Sequence, residues 1–312
     1  MTIGIYQSPM TSRPVRDKRQ MYEFRFFKTN RCIIVTIYSA ISDGVKTWFG
    51  WGLDLLYPPS CVICGEMLGD DRPEDLNFCR RCMVLVIPDR KRFCPACGSF
   101  HASPDDANFS PDLHKRFPNS CSRCANETFA YTKVIPLGEY RDDLRNAILR
   151  MKTDKSGYIA SSMASMLFHV RREQLESLDA DFIVPVPMHF YRRISRGVNN
   201  TEFLAARLGQ LLRKPVFRSH VRRIKPTKHQ FHLKPDERRR NVKNAFEIRH
   251  GIFEKLIGRY VSRHVNGKMI LLVDDILTTG CTCNEIAKQY LLAGASSVFV
   301  CVIAKSLVMK LP

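Results

Sequence analysis

Two groups of residues in this chain of 312 have the types and spacing to do chemistry. The first is eight cysteines in four Cys-x-x-Cys pairs: Cys61 and Cys64, Cys79 and Cys82, Cys94 and Cys97, Cys121 and Cys124. A tight turn inside each pair aims two thiolates at one metal, and two pairs complete a tetrahedral, all-sulfur zinc site. Eight ligands predict two zinc ions, both closed to substrate and hence structural. Sequential pairing, 61/64 with 79/82 and 94/97 with 121/124, is preferred, although the spacing also permits an interleaved arrangement. The second group is Asp274 and Asp275, followed by Thr278, Thr279, Gly280, Cys281 and Thr282. Adjacent carboxylates suit hydroxyls, while a threonine- and glycine-rich turn at a helix start suits a phosphate dianion.

The elements that must position these groups follow from periodicity. Residues 269–273 are apolar without interruption and predict a strand buried on both faces, with the two acids where it leaves the core. Residues 281–292 have helical spacing and stop at Ala293-Gly294, a C-terminal cap. The turn lacks the Gly-Lys-Ser/Thr of a Walker loop, so a ligand with both phosphate and hydroxyls fits better than a nucleoside triphosphate. Upstream, the pattern predicts an edge strand over 134–140, a helix over 141–152 with Leu144, Ile148, Leu149 and Met151 inward, and a helix over 156–178. A strand over 181–187 follows, broken by two prolines, then a helix over 200–212, extended chain over 216–224, and strands over 244–248 and 297–303. The proline-stiffened loop with Val186, Pro187, Met188 and His189, followed by Arg192, Arg193 and Arg196, suits a second anionic group. Residues 225–240 are long, polar and basic, and Pro226 and Pro235 argue against regular structure; exposed arginines and a solvated loop are the plainer alternatives.

Composition bounds the rest. A hydrophobic content of 45% is that of a globular chain rather than a disordered one. The net charge of +19 divides into +4 for residues 1–60, −1 for 61–129 and +16 for 130–312, so any polyanion partner belongs to the C-terminal part. Zinc-bound thiolates make the cysteine module more negative still, which favours contact with protein over nucleic acid there. Cysteines in metal-type pairs argue for a reducing, cytoplasmic setting. Residues 32–41 form an apolar run too short to span a membrane, and residues 40–56 suggest an amphipathic helix, so no stable membrane insertion is expected. The expected domains are a basic extension over 1–56, a double zinc ribbon over 57–128 and an α/β domain over 129–312.

The run from Ile270 to Thr282 resembles the 5-phosphoribosyl-1-pyrophosphate (PRPP) signature of type I phosphoribosyltransferases. Four Cys-x-x-Cys pairs followed by Val184-Pro-Val-Pro-Met-His189, Arg193, Arg196-Gly197, Asn199, Gln230, Leu233, Glu237 to Val242 and Ala245-Phe246 resemble, more narrowly, the ComF/GntX family. These are phosphoribosyltransferase-like proteins with an N-terminal double zinc ribbon, associated with DNA uptake in competent bacteria. The resemblance implies a type I phosphoribosyltransferase fold, a parallel-sheet core flanked by helices with a flexible hood loop. It implies PRPP bound with Mg²⁺, its ribose hydroxyls on Asp274 and Asp275 and its 5-phosphate on Thr278 to Thr282. The pyrophosphate would meet the Val186–His189 loop with Arg193 and Arg196, and a hood carrying Lys228, Gln230, Arg238, Arg239 and Arg240 would close over it. Thr278 stands where members acting on 6-oxopurines carry an aspartate, which argues against hypoxanthine or guanine as acceptor. Val198, Asn200 and Cys281 depart from the family pattern and bear on the acceptor. Two other readings stand beside phosphoribosyl transfer: a non-catalytic PRPP module that docks a DNA-processing partner, and a single-stranded DNA binder with Phe190, Tyr191 and Phe231 stacking on bases.

Overall fold

A computed structural model describes residues 60–68, 76–86, 93–100, 121, 124, 127–188, 198–225, 235–249 and 264–306. The chain divides into compact units of residues 1–57 and 58–312, and every described residue belongs to the second. The basic extension with its amphipathic helix, and most of the segments 225–234 and 251–266, lie outside the described residues. No described helix is long and apolar enough to cross a membrane.

The core is an α/β sheet of four parallel strands. They are β1 (Lys133–Glu139), β2 (Phe182–Pro185), β5 (Met269–Leu277) and β6 (Ser297–Lys305), in the order β1-β6-β5-β2. Parallel strands are covered on both faces, and here alternate residues sort cleanly between two apolar layers. Leu271, Val273, Cys301 and Ile303 face α2 (Asp142–Thr153), α3 (Tyr158–Glu176) and α4 (Asn200–Leu212). Ile270, Leu272, Val300 and Val302 face α6 (Cys281–Leu292) and a small antiparallel pair, β3 (Val221–Arg223) with β4 (Phe246–Ile248). The cysteine region divides between the same layers. Val62, Leu76 and Phe78, next to α1 (Arg80–Val86), join the first layer, while Cys94, Ala96, Cys121 and Cys124 join the second.

Three local expectations change. β5 does not end before the acids but runs to Leu277, because β6 continues beside it and pairs Asp274 with Val302 and Ile276 with Ala304. Leu149 is 41% exposed, and the inward stripe of α2 is Leu144, Ala147, Ile148 and Met151, a 3-1-3 spacing that leaves Leu149 off the face. Pro235 does not prevent regular structure. It opens α5 (Pro235–Val242), at the one end of a helix where a missing N–H costs nothing, so the tail of the basic segment is helical.

Candidate functional site

The phosphate-type turn forms where β5 gives way to α6. Gly280 is the N-cap of α6 at φ 77°, a left-handed conformation that favours glycine, and a Cβ there would lie 2.9 Å from the Tyr131 hydroxyl. The first hydrogen bond across the helix start runs from Asn284 N to Gly280 O at 2.8 Å, and a helix leaves the amides before that one without intrahelical acceptors. Those amides and the positive end of the helix dipole make an anion cradle. Thr279 Oγ1 donates to Cys281 Sγ at 3.0 Å, and Lys305 Nζ donates to Thr278 O. At its far end α6 closes as expected: Gly294 N bonds Leu291 O, and Ala295 N bonds Tyr290 O, both at 3.0 Å.

The acids stand one step before the turn. Each carboxylate accepts from the following amide, Asp274 Oδ1 from Asp275 N at 2.9 Å and Asp275 Oδ1 from Ile276 N at 2.7 Å, which fixes both side chains against the strand. Asp275 pairs with Lys152 Nζ at 3.4 Å, whereas Asp274 forms no ion pair among the described residues and meets Cys283 Sγ at 3.9 Å. Desolvation and the neighbouring Asp275 charge push the Asp274 carboxyl well above its ordinary range. Two adjacent acids are thereby unlike in their surroundings: Asp275 is ion-paired with Lys152, and Asp274 is desolvated beside Cys283.

The proline loop begins beside them. Val186 N donates to Val273 O at 2.9 Å, and Val186 O accepts from Thr201 Oγ1 at 2.8 Å, so the loop leaves the sheet next to Asp274 and is pinned to the start of α4. Asn200 Nδ2 donates to Met151 O at 2.8 Å, tying α4 to the end of α2 that carries Lys152. Pro187 and Met188 are half-buried.

The cysteine sulfurs gather into two sets, Cys61, Cys64, Cys79 and Cys82, and Cys94, Cys97, Cys121 and Cys124, each with its ligand atoms within 4.8 Å of one another. Sulfur separations are 3.7 Å for Cys64 and Cys79, 3.6 Å for Cys94 and Cys124, and 3.5 Å for Cys97 and Cys121. Four thiolates about 2.3 Å from one zinc lie roughly 3.8 Å apart, so both sets fit tetrahedral, structural zinc. The grouping is the sequential one. A family model described as a double zinc ribbon domain matches residues 52–125. Competence protein F of Haemophilus influenzae is 30% identical over 196 residues, 61% of this chain and 80% of that protein.

The chain belongs to the ComF family.

Further members are similar over their whole length. DNA utilization protein YhgH of Escherichia coli K12 is 29% identical over 257 residues, 81% of this chain and 100% of that protein, and its Salmonella typhimurium counterpart is 27% identical over 256 residues. In this ComF-family chain the structure brings together Asp274, Asp275, the turn from Thr278 to Thr282 and the loop start at Val186. Arg240 is exposed on α5, which also carries Arg238 and Arg239. His189, Arg193, Arg196, Lys228 and Gln230 lie outside the described residues. Sequence reasoning missed Lys152, Tyr131 and Lys305 as parts of the site, and it named Asn200 only as a departure from the family pattern. Lys152 is the last position of the expected helix over 141–152, a signal that pointed toward the mouth of the sheet, whereas Lys305 lies two positions beyond the expected strand over 297–303 and enters because β6 runs on to it.

Proposed function

We propose that this ComF-family chain binds PRPP at the β5–α6 turn and serves in DNA uptake or utilisation in a cytoplasmic setting. The observation that carries the reading is the Gly280-capped turn directly after two acids fixed against the strand by the following amides. A phosphate and two hydroxyls spaced as on a ribose 5-phosphate are what such a site would hold. In this reading Thr278 to Thr282 grip the 5-phosphate, Asp274 and Asp275 orient the ribose hydroxyls, and the loop from Val186 through His189, with Arg193 and Arg196, faces the pyrophosphate. Lys152 would then exchange its partner, from Asp275 to the incoming anion. Lys228, Gln230 and Arg238 to Arg240 belong to a hood that excludes water. Hard oxygen ligands suit Mg²⁺, which would sit with Asp275 and the ligand's own oxygens and supply charge neutralisation of the pyrophosphate.

Phosphoribosyl transfer would break the bond from the anomeric carbon to the pyrophosphate oxygen and form one to an acceptor nitrogen. Asp275 and the turn hold the sugar still as positive charge develops there. Thr278 steers the acceptor away from 6-oxopurines. Release of pyrophosphate from PRPP across a panel of nitrogen acceptors, lost in Asp275→Asn, is the expected result for an enzyme. Tight binding without release would leave a non-catalytic PRPP module that docks a DNA-processing partner.

Charge favours a second reading. Between Met188 and His250 seventeen basic residues face four acidic ones, the composition of a polyanion surface. Affinity for single-stranded DNA that falls with salt, and falls again in Arg240→Glu, would support it; a flat salt response would exclude it.

A further inference from the structure

The phosphate-type turn and the second cysteine set meet through one side chain. Lys305, the last residue of β6, is 6% exposed, and its register partner in β5 is Leu277, immediately before the turn. Its ammonium donates to the Thr278 carbonyl. Its stem runs along the Cys94–Cys97 knuckle: a Cβ on Gly98, the residue after Cys97, would lie 3.7 Å from Lys305 Cδ and 3.6 Å from Leu277 Cδ2. The same knuckle is fastened to the sheet, with Val134 N donating to Pro95 O at 2.8 Å.

A cation this deeply buried is costly unless anionic groups face it. Desolvation lowers the proton affinity of Lys305, and the thiolates of Cys97, Cys121, Cys124 and Cys94 oppose that lowering. A zinc ion held by four thiolates carries a net charge of about −2, which makes a closed metal site the counter-charge for this lysine. We propose that Lys305 is a positioning residue that couples the second zinc site to the phosphate-type turn, so that metal occupancy there and order in residues 278–283 are linked. By thermodynamic reciprocity an anion seated on the turn would also tighten that metal site. The first cysteine set, on the other layer of the sheet, touches α2 through Arg150, which donates to Ile63 O, and among the described residues none of its cysteines hydrogen-bonds to residues 278–283.

The functional meaning of this coupling rests on the PRPP reading, but its test uses no PRPP, so either can fail alone. Zinc is withdrawn stepwise from the full chain with a chelator, metal content is counted by native mass spectrometry, and amide exchange is followed. Exchange at 76–86 reports emptying of the first set, and exchange at 121–134 reports emptying of the second. Loss of the first set's zinc leaves exchange at 278–283 unchanged. Loss of the second speeds it about tenfold or more, the factor that a charge-assisted hydrogen bond is worth. Lys305→Met retains two zinc ions and shows the same rise at 278–283 with residues 270–273 unaltered, and Lys305→Arg restores protection. Turn exchange indifferent to the second zinc, or unchanged in Lys305→Met, overturns the coupling. Should Lys305→Met not fold, the wild-type withdrawal series decides.

Discussion

The two cysteine sets have the same pair spacing and the same ligand chemistry, yet they occupy opposite layers of the sheet and different states of burial. In the first, Cys64 is exposed, a Cβ on Gly65 would meet nothing within 4 Å, and Met67 and Val84 are 71% and 70% exposed. It is tethered by Arg150 donating to Ile63 O, and by Asn77 Nδ2 donating to Ser162 Oγ at 3.1 Å. In the second, Cys94, Cys121 and Cys124 are buried, and a Cβ on Gly98 would press on Val134 Cγ1 at 3.0 Å. Its knuckle caps the open edge of β1, and Phe93 lies 4.9 Å from the Arg171 guanidinium, which in turn donates to Pro136 O at 3.1 Å. One site staples its own loop; the other is a wall of the candidate site. Identical motifs therefore need not have identical consequences, because what the metal holds in place differs.

The largest expected contrast is ligand loss. Cys97→Ser should remove one zinc and, with it, much of the roughly 10 kcal/mol that a structural zinc contributes, unfolding the turn and the β1 edge together. Cys64→Ser should remove one zinc while most of the thermal transition survives. Equal losses in calorimetric unfolding would erase the distinction between the sites.

Next is the knuckle glycine. Gly98→Ala pays a left-handed penalty of about 1 kcal/mol plus overpacking of about 1–3 kcal/mol against Val134, whereas Gly65→Ala carries only the first. Urea unfolding of the two variants should differ by at least about 1 kcal/mol, and matching midpoints would contradict the packing account. The smallest effect is expected at the first site's tether. Asn77→Ala should cost about 1 kcal/mol, seen as faster amide exchange at 76–86 with 278–283 unchanged. A change spreading to the turn would break the comparison from the other side.

Much of this was legible in the sequence because it is local. The four Cys-x-x-Cys pairs, the helix over 281–292 with its Gly294 cap and the helix over 200–212 depend on spacing and turn chemistry within a few residues. What was not legible depended on neighbours far along the chain. β5 outlasts its apolar run because β6 lies beside Asp274, and Leu149 faces out because Ala147, a small residue, completes the stripe of α2. Pro235 reads as a breaker until its place at a helix start is known. Lys152 reaches Asp275 across 123 positions, and Lys305 reaches Thr278 across 27. No periodicity announces either. The same holds for the cysteine sets: their ligands could be named from spacing, but not which of them stands behind the phosphate-type turn.

Isothermal calorimetry of the zinc-loaded chain with PRPP and Mg²⁺, repeated on Asp275→Asn and Thr282→Val, tests the central claim most directly. The account predicts a single site in the wild type, weakened about tenfold or more in each variant by loss of a charge-assisted or hydroxyl hydrogen bond to ligand. Absence of binding to the wild type, or affinity that both substitutions leave unchanged, would contradict it.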